Sequence, residues 1–180
     1  MTKIISIPNV ITFIRIIIIP LFVTALVYER YGTALTLFCL AALSDMLDGF
    51  LARKTGQNTE LGAFLDPLAD KALLVTSFIL FAVYGWTPSW LTITVISRDL
   101  IVTLGWIVLY LIDHRTKVEP TLTGKTAIAC QLILIAYTLV SITMNAVPPP
   151  QGWMFGLTAL LTILSALQYI NRALRQTDGK

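Results

Sequence analysis

Four aspartates carry the clearest chemical signal in the sequence: Asp45 and Asp48, then Asp66 and Asp70. A spacing of three puts Asp45 and Asp48 on one face of a helix, and a spacing of four does the same for Asp66 and Asp70. Two helices joined by one short connection can bring all four carboxylates together. Four carboxylates do not share a small, half-dry space without a cation to hold them. Arg53 and Lys71 are near in sequence, but two basic side chains do not neutralise four acids. Hard divalent cations do, and an all-oxygen ligand set favours Mg²⁺ or Mn²⁺. Gly49, Ala52 and Gly62 keep the neighbouring faces small, so that a ligand or another backbone can approach. Divalent ions beside Arg and Lys point to phosphate chemistry, in which metal ions bridge phosphoryl oxygens and stabilise the charge of the transition state.

The elements that must position these groups follow from composition. Of 180 residues, 56% are hydrophobic and 13% charged, with mean hydropathy +0.79. Soluble domains are about 45–50% apolar and about 25% charged. So few charges could not cover a soluble globule, and an all-α integral membrane protein is expected. Six apolar stretches, 8–28, 33–52, 62–84, 89–112, 122–144 and 153–171, read as six transmembrane helices of one domain over residues 1–180. The breaks between them hold Tyr28 to Gly32, Arg53 to Glu60, Gly85 to Pro88, Asp113 to Glu119 and three consecutive prolines, 148–150. The first stretch is long for a signal peptide and lacks a small-residue cleavage site after it, so it is expected to stay as a span. No internal repeat suggests a two-half transporter.

Basic residues give the orientation. Lys3, Arg53, Lys54, Arg115, Lys117, Lys125, Arg172, Arg175 and Lys180 fall at the termini and in or beside the second and fourth connections. With six spans those places share one side, and the other side holds Arg30. By the positive-inside rule both termini are cytoplasmic. Trp86, Trp90 and Trp153 fall at the opposite ends, where an interfacial aromatic belt belongs. The acidic pairs then sit at the cytoplasmic ends of the second and third spans, in a polar metal-binding cavity facing the cytoplasm. The substrate expected there is a lipid-borne phosphate or diphosphate. The net charge of +3 reflects this bias rather than nucleic-acid binding. Cys39 and Cys130 read as small apolar filler, without the neighbours a zinc site needs, and His114 as a solvated loop residue.

The run Asp45-Met-Leu-Asp48-Gly49-Phe-Leu-Ala52-Arg53, then eight residues, then Gly62-Ala-Phe-Leu-Asp66-Pro-Leu-Ala-Asp70, resembles the signature of the CDP-alcohol phosphatidyltransferases, D-x2-D-G-x2-A-R-x8-G-x3-D-x3-D, at every fixed position. Pro8-Asn9 with Thr12 and Arg15 resembles the family's N-terminal segment. Leu65 to Lys71, Ser97-Arg98-Asp99 and Gly124-Lys125 are similar to the branch that makes phosphatidylglycerophosphate or cardiolipin.

The resemblance implies that an alcohol hydroxyl attacks the β-phosphorus of CDP-diacylglycerol and releases CMP. It implies that Asp45, Asp48, Asp66 and Asp70 bind two metal ions, Mg²⁺ or Mn²⁺, and that Asp70 is also the catalytic base. Asn9, Thr12, Gly49, Arg53 and Thr59 would contact the CDP-lipid. Arg15, Arg98, Arg115 and Lys125 are candidates for an acceptor phosphate, although Arg98 could instead pair with Asp99. The expected acceptor is glycerol 3-phosphate. Phosphatidylglycerol is the alternative, because Arg98 is followed by Asp where many glycerophosphate enzymes have Glu. An intramembrane prenyltransferase fits less well, since its acidic motifs lie far apart, and a non-catalytic membrane protein would not require the Asp70 spacing. The family also implies a homodimer in the bilayer, here a multi-pass protein of a bacterial inner membrane.

Overall fold

The computed structural model describes the backbone of residues 7–55, 60–112, 121–144 and 146–178, and the side chains of residues 13–44, 71–105, 121–144 and 146–172. Six α-helices follow in order: α1 Ile7–Val27, α2 Tyr31–Thr55, α3 Glu60–Val83, α4 Ser89–Ile112, α5 Leu122–Thr143 and α6 Gly152–Asp178. Among the described residues there is no strand. The helices stand on the six apolar stretches of the sequence. Two run further than apolarity predicts, α2 to Thr55 and α6 to Asp178. Apolarity marks what a bilayer would cover, whereas a helix ends only where backbone or cap chemistry stops it. Residues such as Arg53, Lys54, Arg172 and Arg175 continue a helix readily, and basic groups suit its C-terminal dipole.

Leu122–Thr143 and Gly152–Arg172 are each long and apolar enough to cross a membrane. Surface and interior have also exchanged their usual character. Phe13, Ile17 and Leu21 of α1 and Leu157, Leu160, Leu164 and Leu167 of α6 are exposed, while Arg15, Arg98, Asp99, Gln131, Thr162 and Ser165 are buried. In water that arrangement would be unfavourable; against lipid tails it is the expected one. The fold is all-helical, and the chain is a membrane protein.

Two helix ends show how the turns are made. At the end of α3, Gly85 has φ 75°. Its N–H donates to Ala82 O at 3.1 Å and that of Trp86 to Phe81 O at 2.8 Å, so the last turn's carbonyls are satisfied by a left-handed cap. The Trp86 ring meets Phe81 edge-on at 5.4 Å and closes the turn. At the end of α1 the same hydrogen bonds recur, Glu29 N–H to Leu26 O and Arg30 N–H to Ala25 O. Here the left-handed position is taken by Glu29, φ 57°, a residue with a Cβ to accommodate.

The chain forms two compact units, one of Met1–Ser77 with Ala136–Pro148, the other of Phe78–Ile135 with Pro149–Lys180. In the first, α1 packs on α2, and Phe22 and Leu26 of α1 and Ala34, Phe38 and Ala41 of α2 are all buried. The Phe22 and Phe38 rings lie 6.3 Å apart. The connection after α5 is held back against it: the Tyr137 hydroxyl donates to Pro148 O at 3.0 Å, and Ser141 Oγ donates to Val147 O and Pro148 O. In the second unit α4 packs on α6. A Cβ on Gly105 would come 2.8 Å from Tyr169 Cε1, so the absence of a side chain at that position is what admits the tyrosine ring.

Candidate active site

Asp45, Asp48, Gly49 and Arg53 lie within α2, and Gly62, Asp66 and Asp70 within α3. Their side chains fall outside the described residues, as do those of Asn9 and Thr12 on α1; Thr59 and Arg115 lie wholly outside. On the same α1 helix, three residues beyond Thr12, Arg15 is buried to 1% exposure. Lys71, directly after Asp70, is partly buried.

Arg98 is fully described, together with its partners. It is buried to 8% exposure in α4. Its Nη1 donates to Asp99 Oδ1 at 2.7 Å, a charge-assisted bond that keeps the pair near neutral inside the helix bundle. Its Nη2 donates to Ser165 Oγ of α6 at 2.9 Å. Arg98 thus makes the pair with Asp99 that the sequence allowed, together with a bond to α6 that it did not suggest.

The first turn of α5 lies beside this group. Thr121 caps the helix, its Oγ1 accepting the Gly124 N–H at 3.0 Å. The Thr121 and Thr123 hydroxyls are 3.2 Å apart, and Thr123 Oγ1 donates to Gln168 Oε1 of α6. A Cβ added to Gly124 would lie 3.0 Å from Thr121 Oγ1 and 3.3 Å from Arg98 Nη2, so the turn rests directly on the guanidinium. Lys125 follows, and is exposed.

Further along, Gln131 Nε2 donates to Thr162 Oγ1 at 2.9 Å, and Cys130 Sγ lies 3.4 Å from Thr158 Oγ1. The sequence reading missed Ser165, Gln168 and Thr121 as partners of this group. A signal for the α6 members was present: Thr158, Thr162, Ser165 and Tyr169 recur at spacings of four, three and four, one polar stripe on an apolar helix.

Comparison with known proteins agrees with the residues. The family model described as CDP-alcohol phosphatidyltransferase matches residues 5–164. The chain belongs to the CDP-alcohol phosphatidyltransferase family, and is a transferase of that class. Among curated relatives, proteins of Escherichia coli (strain K12), Escherichia coli O157:H7 and Shigella flexneri serotype 5b are each 33% identical over 181 aligned positions. In each case the match covers 93% of this chain and 94% of the relative, and each relative is named CDP-diacylglycerol–glycerol-3-phosphate 3-phosphatidyltransferase.

Proposed function

We propose that the protein transfers the phosphatidyl group of CDP-diacylglycerol to glycerol 3-phosphate, releasing CMP and forming phosphatidylglycerophosphate, a step of phospholipid biosynthesis. The observation that carries this reading is the unbroken signature from Asp45 to Asp70, set in two helices of a chain whose full-length relatives are named for that reaction.

Asp70 takes the proton of the acceptor hydroxyl. The freed oxygen forms a bond to the β-phosphorus, and the bond from that phosphorus to the oxygen of CMP breaks. Proton transfer of this kind is worth about 10²–10⁴ in rate. Asp45, Asp48, Asp66 and Asp70 form the hard oxygen donor set that suits two Mg²⁺ or Mn²⁺ ions. When bound, such ions neutralise charge on the attacking and leaving oxygens. Gly49 leaves room for the nucleotide, and Arg53 pairs with its diphosphate. Asn9, Thr12 and Thr59 complete the CDP-lipid contacts. Arg15, Arg115 and Lys125 supply positive charge for the acceptor phosphate, and Arg98 enters through the α5 turn that it supports.

In this reading residues 1–180 are one domain of six spans. The metal-binding cavity opens to the cytoplasm, both termini lie on that side, and the protein works as a homodimer in a bacterial inner membrane. The basic bias of the connections supports the orientation.

The test is turnover by the purified protein with CDP-diacylglycerol and Mg²⁺, glycerol 3-phosphate and phosphatidylglycerol being offered separately. Product should form with glycerol 3-phosphate, and Asp70→Asn should lower it by about 10²–10⁴-fold while the protein stays folded. Product from phosphatidylglycerol alone would make the protein a cardiolipin-forming enzyme. Full activity of Asp70→Asn would reject the assigned base.

A further inference from the structure

Three fastenings converge on one helical turn, and beside it stands a single exposed lysine. Thr121 Oγ1 holds the Gly124 N–H, and Thr121 O accepts the Lys125 N–H at 3.1 Å. Thr123 Oγ1 ties the turn to Gln168 of α6. Gly124 brings the backbone against Arg98, whose guanidinium is held in turn by Asp99 at 2.7 Å and Ser165 at 2.9 Å.

Consecutive helix positions normally point about 100° apart. Arg98 and Asp99 nevertheless pair, which draws the guanidinium into a fixed direction under the turn. The guanidinium is buried, charge-paired through Nη1 and bonded to a hydroxyl through Nη2. It is well placed to serve as a seat for Gly124.

From this arrangement we propose that Thr123, Ser165 and Gln168 are positioning residues for acceptor binding. Together with the Arg98–Asp99 pair they hold the first turn of α5 rigid, so that the Lys125 ammonium is presented to the phosphate of the acceptor. Lysine is a point charge on a flexible four-carbon stem, and its affinity for an anion depends on how much freedom binding removes. A fixed base confines the volume that the ammonium explores. The proposal rests on the reading of Lys125 as an acceptor-phosphate contact, and its test separates the two.

Steady-state kinetics would be measured with glycerol 3-phosphate and CDP-diacylglycerol varied in turn, for Thr123→Val, Thr123→Ser, Ser165→Ala and Lys125→Ala. Each variant would first be shown to be folded by its thermal transition in detergent. An interhelical hydrogen bond in a membrane is worth about 0.6–1.7 kcal/mol, which corresponds to about 3- to 18-fold in affinity. Thr123→Val and Ser165→Ala should therefore raise KM for glycerol 3-phosphate by about that factor, with kcat and the lipid KM unchanged. Thr123→Ser, which keeps the hydroxyl, should behave as the parent protein, and Lys125→Ala should show the largest rise.

If Lys125→Ala raises that KM but Thr123→Val and Ser165→Ala do not, positioning is overturned and the Lys125 contact stands. If Lys125→Ala leaves the KM unchanged, the proposal falls with the acceptor reading beneath it. Thr123→Ser as impaired as Thr123→Val, or a loss confined to kcat, also overturns it.

Discussion

In the first unit α1 meets α2 mainly through carbon. Phe22 and Leu26 of α1 and Ala34, Phe38 and Ala41 of α2 are buried, the Phe22 ring meets Phe38, and Arg15 is the buried charged residue among the described side chains of α1. In the second unit α4, α5 and α6 are joined by Arg98 to Ser165, Thr123 to Gln168 and Gln131 to Thr162. Without water to drive apolar surfaces together, the first kind of contact depends on close packing, which tolerates small slides of one helix along another. The second kind fixes register, because a hydrogen bond is lost within an ångström of displacement. In the second unit these bonds therefore fix the register of α4, α5 and α6 against one another.

Removing charge from the polar unit should test that contrast most severely. Arg98→Ala leaves Asp99 buried without its cation, a loss of about 3–5 kcal/mol. Phe22→Ala should cost less than the same change in a water-soluble core, because lipid is as apolar as the interior and mainly packing is lost. Thermal unfolding of the two variants in one detergent compares them directly. A larger loss for Phe22→Ala would break the contrast.

Close approach comes next. Gly105→Ala must displace the Tyr169 ring and should destabilise by about 1–3 kcal/mol. Gly156→Ala has open space around the new methyl group and should not. A smaller effect separates the two capped turns. Gly85→Ala should cost about 1 kcal/mol and Glu29→Gly should gain about 1 kcal/mol, each read as a shift in the thermal midpoint. The smallest change expected is from Gln131→Leu, about 0.6 kcal/mol, since one interhelical bond is lost and the leucine packs in its place.

Much of this architecture could be read from residue order. Runs of apolar residues gave all six helices, and turn residues such as Gly85 and Pro148 marked where they stop. The spacing of Asp45, Asp48, Asp66 and Asp70 pointed to metal-assisted phosphoryl transfer before any fold was known. Partnerships across sequence were harder to read. Ser165 looks like small filler in an apolar helix until Arg98 is found 2.9 Å away. Gln168 takes its meaning from Thr123, and neither residue names the other. Gly124 read as part of a Gly-Lys pair, yet the space it leaves is filled by a guanidinium from another helix. The helix ends at Thr55 and Asp178 were missed for a different reason, because hydropathy reports the solvent around a helix rather than its backbone.

The exposed Trp153 and Arg172 lie near opposite ends of the apolar length of α6. At about 1.5 Å per residue the helix climbs about 28 Å between them, close to the ~30 Å hydrocarbon thickness of a bilayer. An indole and a guanidinium both settle at the boundary between hydrocarbon and headgroups. The helix therefore matches a bilayer of ordinary thickness, and a thinner one would be met by tilting, kinking or local thickening of the lipid. Ser165 and Gln168 lie within that length, so the bonds that tie α6 to Arg98 of α4 and Thr123 of α5 fall inside the span.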